Sequence, residues 1–318
     1  MRVLVIGGTK FFGRAVVERF LAGGHEVCVL SRGRSRPPFW DDVTPLIADR
    51  EDRDAVAAAL GERSFDLVVD DIAFEARHVQ TAAELLKGRV GRYVLISTAS
   101  VYQDMDNGYR PLAERHADLT FRGDFGYAEG KRACEQALAA SGLAFTTLRP
   151  PIIQGPHDAS ARAWFWIQRV ADGGPVLVPD APVGIWRQVF SRDLAAAVMA
   201  VAVEADAEGQ TYNVAMPEVV TLTDYVRLLA RVLGQEDPVR IVRGPLLERE
   251  LPDYAPTYAH RLVLDTQALT RDTGWTCTPL ATWVEETARW HLGADLEPSA
   301  GYEGRAAELA LAERLAAD

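Results

Sequence analysis

Val3-Leu4-Val5-Ile6-Gly7-Gly8-Thr9-Lys10-Phe11-Phe12-Gly13-Arg14 runs from a β-branched stretch through paired glycines into a helical pattern spanning Phe12 to Leu21. Strand, tight loop and helix start follow one another without a gap. Gly7 permits the turn out of the strand, and Gly13 lets the helix lie close against a sheet. The free amides and positive end of that helix then face an anion, and a pyrophosphate fits. The spacing is Gly-x-x-x-x-x-Gly, with Lys10 where a middle glycine often sits. A glycine loop alone is weak evidence. It gains weight from its place after the first strand and from the strand–helix units downstream.

Those units continue outward from the loop. Val27–Leu30, Thr44–Ile47, Leu67–Val69, Tyr93–Ser97 and Ala144–Leu148 read as short buried strands. Helices are predicted at Ala55–Leu60, Val79–Leu86 and Ala128–Ala140. Short apolar strands alternating with amphipathic helices predict a parallel sheet covered on both faces. The fold class is therefore α/β, a Rossmann-type doubly wound parallel sheet. After Arg149-Pro150-Pro151 the rhythm changes, and Pro and Gly become frequent. Helices are expected at Arg162–Ala171, Asp193–Ala202, Leu222–Leu233 and Leu280–His291. The chain thus divides into a dinucleotide-binding domain at 1–150 and, at 151–318, mainly a smaller α+β substrate lobe with some segments returning to the sheet. The tail Glu303–Leu315 reads as a helix packing on its own domain, with a subunit or lobe contact as the other reading.

The composition agrees with a globular protein of this length. Hydrophobic residues make up 48% of the 318 and charged residues 25%, which excludes a disordered or collagenous chain. No apolar run is long enough to span a bilayer, and no signal peptide can be placed at the start. Cys28, Cys134 and Cys277 form neither a zinc pattern nor a disulfide framework, so a reduced cytoplasm is expected and no metal site. The net charge of −11 repels phosphate backbones, which argues against nucleic acid as a partner. The expected partner is a small-molecule substrate, with a homodimer as an option and no membrane.

The end of the second strand reports on the cofactor. An acid there would bind the adenosine ribose hydroxyls and repel a 2′-phosphate. Here the strand ends Val29-Leu30-Ser31-Arg32-Gly33-Arg34, with no acid before Asp41. A hydroxyl and two guanidiniums suit a phosphate monoester, and Lys10 adds charge from the loop. NADP(H) is favoured, with NAD(H) the alternative. Asp49, just past the third strand, is a candidate acceptor for the adenine amino group or a cap for the next helix. Asp70-Asp71, ending the fourth strand, lies near the expected path of the cofactor ribose or caps the next helix.

In Gly126-Tyr127-Ala128-Glu129-Gly130-Lys131 the phenol and the amine stand four apart on one helical face. A free phenol has a pKa of roughly 10. A nearby ammonium and a cationic nicotinamide ring favour the phenolate. The fifth strand, ending Ile96-Ser97-Thr98-Ala99-Ser100-Val101-Tyr102, delivers hydroxyls to the carboxyl edge of the sheet, where such folds bind ligands.

With these motifs the chain resembles the short-chain dehydrogenase/reductase superfamily, and most of all its extended and atypical branch of NAD(P)-dependent epimerases and dehydratases. The glycine loop from Gly7 through Thr9, Lys10, Phe11 and Phe12 to Gly13 is similar to a variant of that branch. Ser97 and Thr98 fit its serine/threonine motif, and Tyr127 and Lys131 its Tyr-x-x-x-Lys. Pro150 and Ile152 fit the segment that reaches the nicotinamide end. The resemblance implies hydride transfer at a secondary alcohol or ketone. Thr98 would bond the reacting oxygen, Tyr127 would move its proton, and Lys131 would hold the nicotinamide ribose. The 4,6-dehydratases of the family carry Asp-Glu after the catalytic threonine. Ala99-Ser100 stands here instead, which argues against dehydration. Arg187 falls within about one residue of the family's substrate-phosphate arginine. Tyr102 and Trp164 are further substrate candidates, although Trp164 and Trp166 also suit a core.

The expectation is an NADP(H)-dependent oxidoreductase acting on a sugar-like or polyhydroxylated molecule. The alternative is a nucleotide-sugar epimerase that retains its cofactor. A third reading, from another class, is a non-catalytic dinucleotide- or RNA-binding protein.

Overall fold

The computed structural model describes residues 1–103, 110–158, 160, 162–180, 185–252, 254, 262–299 and 301–317. The chain forms two compact units. The first comprises Met1–Ile153, Gln188–Ala215 and Leu264–Cys277. The second comprises Gln154–Arg187, Met216–Val263 and Thr278–Asp318.

The first unit is built on a seven-stranded sheet. Its strands are β1 (Arg2–Ile6), β2 (Glu26–Ser31), β3 (Thr44–Ile47), β4 (Phe65–Asp70), β5 (Val90–Ile96), β6 (Phe145–Arg149) and the strand Gln210–Asn213. From one edge the order is Gln210–Asn213, β6, β5, β4, β1, β2, β3, with every pairing parallel. The chain crosses from one half of the sheet to the other between β3 and β4. This opens a crevice at the carboxyl ends of β1 and β4, where doubly wound folds bind ligands.

Alternation along the strands explains the layers. Val3, Val5, Val27, Val29, Leu67 and Val69 face one cluster, which α1 (Phe11–Ala22) and the helix Ser191–Val203 complete. Leu4, Ile6, Cys28, Leu30, Val68, Tyr93 and Leu95 face the other. That side is covered by α2 (Arg53–Leu60), α3 (Ala76–Leu86) and α4 (Gly126–Ala139). Both faces are dry, which is why the strands read as continuous apolar runs. The helix expected at Asp193–Ala202 forms, but it belongs to the first unit, where it packs on α1 and the sheet. β5 stops one residue short of the expected Ser97.

The second unit pairs Val176–Pro179 with Val239–Val242 in parallel, and Ile185–Trp186 with Val220–Thr221 antiparallel. Trp186 stacks on Tyr225 at 3.8 Å between centroids. The tail helix, observed at Arg305–Ala317, packs on its own unit. Its Glu308 forms a buried ion pair with Arg169 at 2.5 Å, and Arg305 bonds both Glu308 and Asp172.

Candidate functional site

A cleft of about 620 Å³ opens along the carboxyl edge of the first unit's sheet. Its floor is the loop between β1 and α1. Gly7 and Gly8 adopt φ of +113° and +70°, left-handed values that L side chains resist. Phe11 also sits at φ +44°, local strain of the kind that collects at ligand sites. A Cβ on Gly7 would lie 1.6 Å from Asp71 Oδ1, and one on Gly13 only 1.9 Å from Asp71 Oδ2. The glycines thus leave room for a backbone cradle and for the carboxyl group pressed against it. A cradle of this shape, at the start of a helix and at a switch in strand order, fits a dinucleotide's pyrophosphate.

The other walls include several of the residues named as cofactor candidates. Thr9, Lys10, Phe11 and Phe12 line the cleft, as do Ser31, Arg32, Arg34 and Asp49. The Gly33 N–H donates to Ser31 Oγ at 3.2 Å, which fixes the turn that carries the arginines. The Arg32 and Arg34 side chains are exposed at the rim. Asp49 does not cap α2. Asp52 does so, accepting from the amides of Asp54 and Ala55 at 3.1 and 3.0 Å. Asp49 instead accepts from the Glu51 amide at 3.2 Å and faces the cleft.

Asp70 and Asp71 divide into different roles, and neither caps α3, whose N-cap is Glu75. Asp70 is fully buried and receives both guanidinium nitrogens of Arg50, at 2.7 and 3.0 Å, and the Tyr93 hydroxyl at 2.5 Å. Burial would raise its pKa, but Arg50 and the two sets of hydrogen bonds outweigh burial and hold it below the usual carboxylate range. Asp71 lies under the glycine loop, where its Oδ2 accepts from the Gly8 N–H at 3.3 Å. Burial pushes its pKa up to about 7, and the neighbouring Asp70 charge adds to the rise.

Toward the other end, Phe74 lines the cleft and reaches the tyrosine–lysine helix. Its ring lies 6.3 Å from that of Tyr127, and Lys131 Nζ lies 4.9 Å from its centroid. Lys131 is 2% exposed and donates to the carbonyl of Ile96, the last residue of β5, at 2.8 Å. Burial draws its pKa below the ordinary lysine value, against the pull of Cys134, Asp70 and Asp71. Its ammonium is 6.0 Å from the Tyr127 ring, and Tyr127 itself is 41% exposed. Thr98 follows β5 at the same edge. Its Oγ1 accepts from the Ser100 amide at 3.1 Å and donates to Ser100 Oγ at 3.2 Å.

Other expected residues are committed elsewhere. Ser97, read as a cofactor residue, donates its hydroxyl to Glu135 at 2.5 Å, and Glu135 is paired with Arg149 at 2.6 Å. Tyr102, read as a substrate residue, is fully buried. It donates to Asn213 Oδ1 at 2.8 Å and accepts from Arg149 at 2.9 Å, so its phenol braces the frame. The Pro150 carbonyl accepts from the Ala99 amide at 2.7 Å, which ties the segment after β6 to the Thr98 turn; that of Ile152 accepts from Val189 at 3.2 Å. Trp164 and Arg187 belong to the second unit. There Trp164 donates to the Glu297 carbonyl at 3.0 Å and stacks on His291, and Arg187 donates to the Met216 carbonyl at 2.8 Å. Trp166 is buried core.

Sequence reasoning missed Phe74, Arg50 and His78 as cleft residues. One signal pointed to Phe74. Gly130 sits inside a helix beside Lys131, where glycine costs roughly 1 kcal/mol against alanine. A Cβ there would lie 2.2 Å from the Phe74 carbonyl oxygen, so the glycine admits the Phe74 backbone.

A glycine cradle at the β1–β4 crevice, with a tyrosine–lysine helix beside it, defines a Rossmann-type dinucleotide-binding protein. Residues 3–215 match the NAD dependent epimerase/dehydratase family, and the chain belongs to it. That family belongs to the short-chain dehydrogenase/reductase superfamily. It is 30% identical to (4-alkanoyl-5-oxo-2,5-dihydrofuran-3-yl)methyl phosphate reductase of Streptomyces griseus subsp. griseus, over 80% of this chain and 84% of that protein. It is 28% identical to chloroplast stem-loop binding protein of 41 kDa b of Arabidopsis thaliana, over 77% of this chain and 66% of that protein, just under two thirds of its length. The solved UDP-glucose 4-epimerase of Thermus thermophilus, in complex with NAD, aligns with a TM-score of 0.71 at 23% identity. That alignment covers 92% of this chain and 100% of the epimerase, a likeness of fold.

Proposed function

We propose that the protein is an NADP(H)-dependent reductase or dehydrogenase acting at a secondary alcohol or ketone of a sugar-like or polyhydroxylated small molecule. The observation that carries the reading is the rim of the cleft. Ser31, Arg32 and Arg34 stand at the end of β2, with Lys10 across the loop and no carboxylate among them. Guanidiniums bind a phosphate monoester through paired, charge-assisted hydrogen bonds. An acid at this point would have repelled it.

The cofactor supplies or accepts the hydride. The chain's own groups do the rest. Thr98 exchanges its bond with Ser100 for one to the reacting oxygen. Tyr127, exposed at the helix start, delivers or removes the proton at that oxygen. Lys131, anchored by Ile96, places a positive charge behind the phenol and reaches the nicotinamide ribose. Each is worth testing separately, because general acid–base catalysis contributes roughly 10²–10⁴-fold.

The fold likeness to a nucleotide-sugar epimerase supports the second reading, oxidation and re-reduction of one carbon with a retained cofactor. Denaturing the purified protein and identifying what it releases separates the two. Stoichiometric oxidised dinucleotide supports the epimerase; a cofactor that exchanges freely supports the reductase. The Arabidopsis relative's name raises RNA binding. The net charge of −11 argues against it, since such binding is driven mainly by neutralising phosphates.

A further inference from the structure

The most unusual group in the first unit is the Asp71 carboxyl. It is 7% exposed, lies against both Gly7 and Gly13, and forms part of the cleft wall. Its Oδ2 takes the Gly8 amide. Its Oδ1 is buried with no hydrogen-bond partner. A buried polar atom without a partner is costly, by about 1–3 kcal/mol, and asks what completes it. If ionised, Oδ1 needs a donor or a cation. If protonated, it needs an acceptor. Its surroundings decide between these. The glycine loop and the start of α1 present amides, an arrangement that attracts an anion. A carboxylate beneath the loop and a pyrophosphate above it are two negative groups held close together, which disfavours ionisation of the carboxyl when the loop is occupied.

We propose that Asp71 is a binding determinant of the glycine loop that admits the dinucleotide only in its neutral form, because a carboxylate directly beneath Gly7 and Gly13 repels the pyrophosphate the loop would hold, and so couples cofactor affinity to pH. The proposal rests on the dinucleotide reading of the cleft. The charged neighbours support a shared proton balance. Asp70 on β4 disfavours ionisation of Asp71. Arg50 after β3 and Lys131 on α4 favour it, but Arg50 is spent on Asp70 and Lys131 is tied to Ile96. His78 on α3 is turned to Glu51, at 2.7 Å. Burial dominates, and the group titrates at about 7. The cleft therefore carries a carboxyl whose ionisation burial displaces toward neutral pH.

The test is calorimetric titration of the whole protein with NADPH and with NADH, from pH 6 to pH 8.5, in two buffers of different ionisation enthalpy. NADH lacks the 2′-phosphate, whose own titration near pH ~6 would otherwise contribute. If only the neutral form binds, affinity scales with its population and falls about tenfold between pH 6 and pH 8 for both dinucleotides. Near pH 8 binding takes up close to one proton per dinucleotide. Asp71→Asn keeps the shape and a donor without the titration, so its affinity is flat over this range. The proton uptake of the wild type stands whether or not the variant folds. Binding that is flat in the wild type, or that strengthens as pH rises, overturns the proposal and leaves the dinucleotide reading intact. Failure of both dinucleotides to bind at any pH overturns the reading and the proposal together.

Discussion

Gly130→Ala sets two effects against each other, and the structure decides the sign. In an exposed helix interior, alanine stabilises over glycine by roughly 1 kcal/mol. At position 130 the new methyl would lie 2.2 Å from the Phe74 carbonyl oxygen, far inside contact distance. The obstacle is backbone, which cannot swing aside as a side chain does. Either α4 or the segment carrying Phe74 must shift by about an ångström, and overpacking of this kind costs roughly 1–3 kcal/mol. The net expectation is destabilisation of about 0–2 kcal/mol. In a unit of this size each kcal/mol moves the melting temperature by roughly 2–4 °C, so thermal unfolding should occur up to a few degrees lower. The displacement also reaches the site, because Phe74 touches both Tyr127 and Lys131. Dinucleotide affinity and turnover should fall together in the variant. A melting temperature that rises by a few degrees would show that helix propensity alone governs the position, and that Phe74 is not held against α4.

Arg50→Met leaves Asp70 buried without its cation and should cost about 3–5 kcal/mol. In denaturant titrations, the loss should shrink as pH falls and Asp70 protonates; an unchanged midpoint at neutral pH would contradict the geometry. Tyr127→Phe should lower turnover by about 10²–10⁴-fold while leaving thermal stability and cofactor affinity close to wild type. Lys131→Met should weaken cofactor binding as well, and its residual activity should move to higher pH because the phenol has lost the cation that favoured its ionised form. Unchanged affinity and an unshifted pH–rate profile would place Lys131 outside the site.

The strands and helices of the sheet were legible because each signal is local. Val3–Ile6 and Val27–Leu30 are apolar without interruption, since both faces of the sheet are covered, and the glycine loop needs only its own spacing. The placement of Ser191–Val203 was not legible. Its periodicity marks a helix, but its packing on α1 joins segments far apart in sequence. The site divides in the same way. Lys10, Ser31, Arg32 and Arg34 were legible as cleft-lining residues because they follow strand ends in the sequence. The partners of Ser97 and Tyr102 were not legible, because Glu135, Arg149 and Asn213, which bond their hydroxyls, converge from α4, β6 and the strand Gln210–Asn213. Asp71 was seen as a strand-end acid. Only the fold reveals that it fills the space two glycines vacate.

The central claim is that the β2 end and the glycine loop read a 2′-phosphate. It is tested most directly by the ratio of NADPH to NADH affinity, measured by calorimetry on the purified protein at one pH, and again on Arg34→Ala and Arg32→Ala. The account predicts tighter binding of NADPH by the wild type. A charge-assisted hydrogen bond is worth about 1.5–3 kcal/mol, so loss of the arginine that grips the phosphate should erase roughly tenfold or more of that preference while leaving NADH affinity nearly unchanged. Equal affinities in the wild type, or tighter NADH, would contradict it.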